Sequence, residues 1–211
     1  MKNRLPKITF LEKVCIICEG PEEYEYLDRL KQLKVWNPIY QVDLENADGN
    51  GNIPARYQDK YQNGDYDVVL VFCDTDKKPF EQYNDIKRKI NEFHGVDDAA
   101  EQVMIYGNPC TMQIVLQHWD NVKLKSSAKK VNAPIIEKYT GVSGYKGRAD
   151  QKKAINDQIT KENYNDMRQR VKSISKDDAI VGSTNIANLF DDLQTDAAEW
   201  ISSINSKLDG E

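Results

Sequence analysis

The chain has 211 residues, of which 39% are hydrophobic and 30% are charged, and its formal net charge is −5. Enough apolar residues are present for one sizeable core, so the composition predicts a soluble globular protein and excludes a disordered chain. No run approaches the roughly 18 apolar residues of a membrane helix, and residues 1–6 lack the apolar centre of a signal peptide. We therefore expect a cytoplasmic protein without a membrane partner.

The first predicted strand covers residues 13–18, which include an unbroken apolar run. Continuous runs of this kind, rich in β-branched residues, are typical of strands covered on both faces in a parallel sheet. A helix is predicted over residues 21–34, because Pro21 suits the first helical position and acidic side chains suit the first turn. A second strand is predicted over residues 36–44, and a short helix over residues 53–62.

The most apolar predicted strand covers residues 67–73 and is therefore expected at the centre of the sheet. Apolar residues recur with helical spacing over residues 80–93, and a glycine follows them. A fourth strand is predicted over residues 102–106, and an apolar helix over residues 110–119. Strand and helix patterns thus alternate up to about residue 120.

This alternation predicts an α/β fold with a mostly parallel, four-stranded sheet flanked by helices. Beyond residue 120 the strand pattern stops, and helical spacing returns over residues 125–140, 150–175 and 184–207. We therefore divide the chain into an α/β core, residues 1–120, and a C-terminal helical extension, residues 121–211. The extension is expected to pack on the core, so that the chain forms one compact unit.

Charge is unevenly distributed between these parts. Residues 1–120 carry 14 Lys and Arg against 21 Asp and Glu, residues 121–176 carry 14 against 5, and residues 177–211 carry 1 against 8. A basic segment between acidic ones favours a polyanionic partner such as DNA or RNA, with Lys152 and Lys153 as candidate phosphate contacts. The alternative is a solvated helical face that happens to be rich in lysine.

Acidic residues follow two of the predicted strands. Glu19 and Glu23 come after the first strand, and Asp74 and Asp76 come after the central one. Because ligands of open α/β sheets bind beyond the carboxyl ends of the strands, we expect these four side chains to converge. Like charges held close together raise each other's pKa, so the cluster predicts a bound cation.

Mg²⁺ prefers oxygen ligands, so the predicted cofactor is Mg²⁺ or Mn²⁺. Residues i and i+2 of an extended segment share a side, which would let Asp74 and Asp76 present both carboxylates in one direction. Four carboxylates would hold two ions about 4 Å apart, an arrangement that cleaves phosphodiesters. Alternatively, Glu19 is a general acid or base while Asp74 and Asp76 hold one ion. A lone D-x-D pattern also occurs as an ordinary surface or capping feature.

Two further residues near the predicted sheet edge are candidate substrate contacts. Lys77 directly follows the acidic pair, where its ammonium group would meet a phosphate, neutralise the aspartates or simply be solvated. Asn108 ends the fourth predicted strand, so it is expected either at the same edge of the sheet or as a helix cap before Pro109.

Several short motifs resemble those of the Toprim domain, which topoisomerases, primases, OLD-type nucleases and small recombination proteins share. The E-G-x-x-E pattern at residues 19–23 and the D-x-D pattern at residues 74–76 carry this likeness. A more specific resemblance is to the RloB-like Toprim proteins of bacterial restriction and abortive-infection loci. It rests on four segments, which are Cys18-Glu19-Gly20-Pro21-Glu22-Glu23-Tyr24, Asn108-Pro109-Cys110, Leu116-Gln117-His118-Trp119 and Gly182-Ser183-Thr184-Asn185.

The resemblance implies a Toprim-like fold, a nuclease activity and a role in defence against phage. It also implies a substrate-binding role for His118, whose alternative is a buried core histidine. The sequence contains no G-x-x-x-x-G-K-[ST] loop, so any ATP dependence would require a partner ATPase or another defence-system protein. The chain departs from the family at Thr111 and Met112, where an aromatic residue and a glutamate are usual. A function that depends on that glutamate would be lost here.

The predicted function is therefore metal-dependent hydrolysis of phosphodiester bonds in nucleic acid, with Glu19, Asp74 and Asp76 as the catalytic residues. Two alternatives stay open. One is a non-catalytic module that binds nucleic acid or assembles a defence system. The other is a metal-dependent phosphotransferase or phosphatase acting on small phosphate esters, although the basic segment favours a polymeric substrate.

Overall fold

The structure, a computed structural model, describes residues 11–76 and 78–210. Within these residues four β-strands form one sheet in which all neighbours are parallel, in the spatial order β2-β1-β3-β4. The strands are β1 Glu12–Cys18, β2 Tyr40–Asn46, β3 Val68–Asp74 and β4 Met104–Gly107. Helices connect the strands and follow them, so the predicted α/β fold with a parallel, four-stranded sheet is confirmed.

The two most apolar strands, β1 and β3, lie at the centre of the sheet. All residues of β1 from Val14 to Cys18 and all residues of β3 from Val68 to Cys73 are buried. The cysteines of these strands have free thiols within this core. Unbroken apolar runs therefore correspond here to strands covered on both faces.

The described part of the first 120 residues contains five α-helices. They are α1 Pro21–Gln32, α2 Ile53–Asn63, α3 Glu81–His94, α4 Ala99–Val103 and α5 Met112–Val115. The apolar helix predicted over residues 110–119 is only partly formed, since α5 gives way to a 3-10 turn over Leu116–His118. The strand predicted over residues 102–106 begins only at Met104, because the preceding residues form α4, which packs on α3.

β2 also begins later than the sequence pattern suggests, at Tyr40 rather than at residue 36. A tertiary contact occupies the residues just before it, since the Asn37 N–H donates to the Leu193 carbonyl at 2.8 Å. A backbone group bonded in this way is not available to lengthen the strand ladder.

Beyond residue 120 the described residues form five further helices. They are α6 Lys129–Thr140, α7 Ala149–Asn156, α8 Lys161–Lys172, α9 Ile186–Asp192 and α10 Glu199–Leu208. The single helix predicted over residues 150–175 is divided before α8, where Thr160 and Asn163 form a reciprocal cap through side-chain and backbone atoms. No helix among the described residues is long and apolar enough to cross a membrane.

The extension packs on the α/β core. α7 contacts α1, α8 contacts the 3-10 turn after α5, α9 contacts β4, and α10 contacts both α4 and β3. A continuous hydrophobic core runs from Val14 in β1 to Leu208 in α10. The sheet and the helical extension thus bury one another's apolar faces.

The outer edge of β4 is covered by residues 184 and 185. Thr184 forms an isolated bridge with Gly107, and its hydroxyl donates to the Tyr106 carbonyl at 2.6 Å. The Asn185 side chain accepts from the Tyr106 N–H at 2.9 Å and donates to the Met104 carbonyl at 2.7 Å. Side chains of the extension therefore satisfy backbone groups that an open sheet edge would expose.

The sheet register brings the ends of β1 and β3 side by side. Cys18 is paired with Phe72, and Asp74 is paired with Gly107. The Glu19 N–H donates to the Phe72 carbonyl at 2.9 Å, so Glu19 leaves β1 beside the last residues of β3. The acidic residues after both strands consequently lie at the carboxyl edge of the sheet, where open α/β sheets bind ligands.

Candidate functional site

A cavity of about 330 Å³ lies at the carboxyl edge of the sheet, between the beginning of α1 and the extension. Carboxylates line part of it, which we call the acidic floor: Glu19, Glu22, Glu23, Asp74 and Asp76. Residues of the extension line another part, which we call the outer wall: Ser127, Lys129, Asn132, Ile136, Tyr145, Gly147 and Lys152. The four acidic residues singled out from the sequence thus share one cavity.

Glu19 is turned toward the end of β3. Its Oε2 atom accepts a hydrogen bond from the Asp74 N–H at 2.9 Å. Burial raises the pKa of Glu19 to about 7; the Asp74 N–H opposes this rise, and the charges on Asp76 and Glu22 add to it. The earlier glutamate therefore faces the later aspartates, as a shared site requires.

Glu23 is the most deeply buried member of the acidic floor, with only 3% of its surface exposed. Its Oε2 atom accepts from the Gly20 N–H at 3.0 Å, across the first turn of α1. Burial and then the charge on Glu19 raise the pKa of Glu23 to about 8, while the Thr111 hydroxyl lowers it. Both oxygens of Glu23 have a hydrogen-bond donor within reach, which holds the carboxylate in place.

Thr111 joins the two acidic segments. Its Oγ1 atom lies 2.7 Å from Glu23 Oε1 and 2.8 Å from Asp74 Oδ1. A hydroxyl has one proton to donate, so Thr111 cannot donate to both carboxylates at the same time. The arrangement is satisfied when one carboxyl group carries a proton and donates it to Thr111, or when a cation compensates the second carboxylate.

The two aspartates differ in their surroundings. Burial raises the pKa of Asp74 well above its ordinary value, and the charges on Glu23 and Glu19 add to the rise. Asp76 is exposed and has a backbone φ of +58°, in the left-handed region that aspartate tolerates better than most residues. The segment is therefore not extended at Asp76, and the expected i, i+2 alternation does not apply there, although Asp76 still lines the cavity.

The cavity has an excess of negative charge. Among the residues that the structure describes, two ammonium groups accompany the five carboxylates that line it. Lys129 Nζ lies 3.6 Å from Glu22 Oε2, whereas Lys152 Nζ lies 2.8 Å from an oxygen of Glu25, which is not part of the acidic floor. Buried carboxylates that lack compensation favour either a proton or a bound cation.

The ligand chemistry of the acidic floor fits Mg²⁺ or Mn²⁺. All of its donor atoms are oxygens, and Mg²⁺ commonly takes only one or two carboxylates, leaving waters and phosphate oxygens to complete the octahedron. In the part of the chain that the structure describes, no three acidic, histidine or cysteine side chains form a ready-made metal-binding group.

Several residues singled out from the sequence lie elsewhere. Asn108 is fully buried, and its side-chain amide donates to the Asp178 carbonyl at 2.7 Å, so it supports the chain before α9 instead of lining the cavity. Lys153 is exposed and pairs with Asp157 at 2.7 Å, away from the cavity lining. Lys77 lies outside the described residues. Of the predicted lysine contacts, only Lys152 is found at the cavity.

His118 is 2% exposed and does not line the cavity. Its Nδ1 atom donates to Asn163 Oδ1 at 3.1 Å, and its Nε2 atom accepts from the Tyr26 hydroxyl at 3.1 Å. Burial lowers the pKa of His118 to about 4, so the ring is neutral at neutral pH. His118 therefore does not lie where the expected substrate contact would be. It has the alternative role of a buried core histidine, because both ring nitrogens are hydrogen-bonded inside the protein.

Residues of the site that are missing from the sequence candidates include Thr111, Asn132 and Tyr145. Thr111 had a detectable signature, because it is a polar residue just after the fourth strand, in an otherwise apolar segment. Asn132 and Tyr145 had none, since their position depends on how the extension folds over the edge of the sheet.

In comparisons with known proteins, no family model, no curated protein and no solved structure matched this chain. The resemblance to the RloB-like Toprim proteins therefore rests on the motifs in the sequence alone.

Proposed function

We propose that this protein is a metal-dependent nuclease that hydrolyses phosphodiester bonds of DNA or RNA, with Mg²⁺ or Mn²⁺ as cofactor. The observation that supports this most strongly is the contact of one hydroxyl, Thr111 Oγ1, with the carboxylates of both acidic segments in a shared cavity. A role in bacterial anti-phage defence, in the cytoplasm and with a partner such as an ATPase, extends the proposal on the basis of the motif resemblance.

Four members of the acidic floor have an assigned role in this proposal. Asp74 and Asp76 would hold a single ion, and Glu19 would then be the base that takes a proton from water. In a two-ion arrangement, Glu19 and Glu23 would hold the second ion. A divalent ion supplies charge stabilisation for the phosphate and a more acidic bound water. In either case Thr111 and Glu23 position Asp74, because the three side chains share one hydrogen-bonded cluster.

The test compares purified wild-type protein with an Asp76→Asn variant on DNA and RNA oligonucleotides, with Mg²⁺, Mn²⁺ or a chelator. Asp76 is exposed, and asparagine tolerates its positive φ, so this variant is expected to fold. Asp48→Asn is the matched control, since Asp48 is also exposed, has a φ of +57° and does not line the cavity.

We expect metal-dependent cleavage by the wild type and the Asp48→Asn protein, and a loss of at least about tenfold in the Asp76→Asn protein. Equal cleavage by all three proteins would show that the acidic floor is not the active site. A wild type that binds neither ion and cleaves neither polymer would remove the nuclease proposal. Titration of bound metal then separates the one-ion from the two-ion arrangement.

A phosphatase or phosphotransferase acting on small phosphate esters is the second candidate. The size of the cavity favours it, since about 330 Å³ lies at the lower end of the roughly 300–1,000 Å³ of small-molecule sites. Release of phosphate from small esters, without cleavage of any oligonucleotide, would select this candidate.

A further inference from the structure

The outer wall contains two buried polar atoms that make no hydrogen bond of good geometry with the described residues, Asn132 Oδ1 and Tyr145 Oη. Both residues are only 2% exposed, and both line the cavity. Buried polar groups in folded proteins nearly always have a partner, so the unpaired Asn132 oxygen indicates a group that is supplied from outside the chain.

The orientation of the Asn132 amide is set by its surroundings. Its Nδ2 atom donates to the Ser126 carbonyl at 2.7 Å, and a carbonyl oxygen only accepts hydrogen bonds. The oxygen of the amide is therefore the atom left unpaired. It requires a donor, such as an N–H of a nucleobase or an O–H of a sugar.

The Tyr145 phenol lies close to the acidic floor. Burial and then the charge on Glu22 raise its pKa above the ordinary value, followed by the charge on Cys110, by Glu22 again as a nearby hydrogen-bond acceptor and by the charge on Glu23. All three of these residues line the cavity. The hydroxyl thus belongs to the region between the outer wall and the carboxylates. A protonated phenol there can donate to a ligand oxygen and accept from a ligand donor.

The rest of the wall combines apolar surface with positive charge. Ile136 is fully buried and Met112 nearly so, and both line the same cavity as Tyr145. Lys129 and Lys152 add ammonium groups. An apolar surface, one fixed acceptor, one hydroxyl and two cations match the chemistry of a nucleotide, which has an aromatic base, polar edges and a phosphate.

We propose that the cavity holds a single nucleotide unit, taken out of any base stack, with Asn132 and Tyr145 hydrogen-bonded to its base or sugar. This inference rests on the proposed function of the same site and specifies its substrate as single-stranded nucleic acid. A nucleotide within a duplex enters a cavity of about 330 Å³ only after it is unstacked and unpaired, which costs free energy.

The first experiment titrates the full chain, in the presence of Mg²⁺, with the nucleoside 5′-monophosphates of RNA and DNA in a calorimeter. The variant is Tyr145→Phe, which removes only the hydroxyl and is expected to fold. Tyr139→Phe is the control, since Tyr139 Oη contacts Asp120 instead and lies outside the cavity lining. Asn132→Ala provides a second variant, with thermal unfolding as the check on its fold.

We expect at least one monophosphate to bind, the Tyr145→Phe protein to bind it up to about tenfold more weakly, and the Tyr139→Phe protein to match the wild type. The second experiment compares single-stranded with duplex oligonucleotides of the same sequence, and we expect faster cleavage of the single strand.

Each alternative outcome bears on a different claim. Cleavage of nucleic acid without binding of any monophosphate, or equal binding by the wild-type and Tyr145→Phe proteins, would overturn the inference and leave the nuclease proposal standing. A change in thermal stability alone would mean that buried water satisfies the two atoms, and this too overturns the inference. Binding of a monophosphate that Tyr145→Phe weakens, without cleavage of any polymer, would support the nucleotide pocket and reject the nuclease.

Discussion

At the scale of single residues, Thr111 connects the two acidic segments of the acidic floor. It is fully buried and follows β4, so it lies next to the ends of both β1 and β3. Its hydroxyl contacts Glu23 from the first acidic segment and Asp74 from the second. A position at which the chain differs from the motif that it resembles is therefore occupied by a side chain that contacts the carboxylates directly.

Replacing Thr111 with valine keeps the shape of the side chain and removes the hydroxyl. One buried carboxylate then loses its donor and the other carboxyl group loses the oxygen that it contacts. We therefore expect the free energy of unfolding to fall by about 1–3 kcal/mol. Urea unfolding in a chelator measures this. Thr140→Val is the control. The Thr140 hydroxyl donates to the Ile136 carbonyl and accepts from the Val142 N–H, both uncharged groups, and its loss should cost only about 1 kcal/mol. An unchanged stability of the Thr111→Val protein would show that the hydroxyl does not support the cluster.

At the scale of secondary-structure elements, residues 184 and 185, which precede α9, cover the outer edge of β4. Without residues 184 and 185, the outer edge of β4 would expose backbone donors and acceptors. Both residues belong to the Gly182-Ser183-Thr184-Asn185 motif, and the structure gives this motif a role in covering the sheet edge. Thr111 follows β4 in the chain. Residues 184 and 185, which hold β4 in place, therefore also help to hold Thr111 next to the acidic floor.

An Asn185→Ala variant tests this role. It leaves the Tyr106 N–H and the Met104 carbonyl without their side-chain partners, so we expect the free energy of unfolding to fall by about 1–3 kcal/mol. Asn188→Ala on the exposed side of α9 is the matched control and should change stability by no more than about 0.5 kcal/mol. Similar losses in the two variants would indicate that β4 does not depend on this cover.

At the scale of the whole molecule, the acidic floor links folding to protons and, under the proposed function, to metal. Glu19 and Glu23 have pKa values of about 7 and about 8 in the folded protein, above the ordinary value of 4.5. Between pH 4.5 and about pH 8, the folded state therefore binds more protons than the unfolded state. The free energy of unfolding falls as the pH rises through this range. His118 acts in the opposite direction only below its ordinary pKa of 6.5, because burial keeps it neutral.

We therefore expect the metal-free protein to lose stability between about pH 6.5 and about pH 8, where deprotonation leaves like charges buried together. Saturating Mg²⁺ should raise the stability at the upper end of this range and reduce the slope, because the ion replaces the protons. Urea unfolding at several pH values, with Mg²⁺ or with a chelator, measures both effects. Stability that is flat or rising with pH in the chelator would contradict this linkage.

The sequence alone determined the architecture and the acidic half of the site. Unbroken apolar runs identified the buried strands, their alternation with helical patterns required a parallel sheet, and the carboxyl ends of parallel strands share one edge. The convergence of Glu19 with Asp74 follows from this periodicity and needs no detail of packing.

Only the tertiary structure decided how the extension folds over that edge. It separates two adjacent lysines, since Lys152 lines the cavity while Lys153 faces solvent, and it places His118 in the interior. It also brings Asn132 and Tyr145 to the carboxylates across long sequence separations. Local sequence patterns do not predict these positions. The positions depend on which helical faces pack against apolar surface and on which polar atoms remain unpaired after packing.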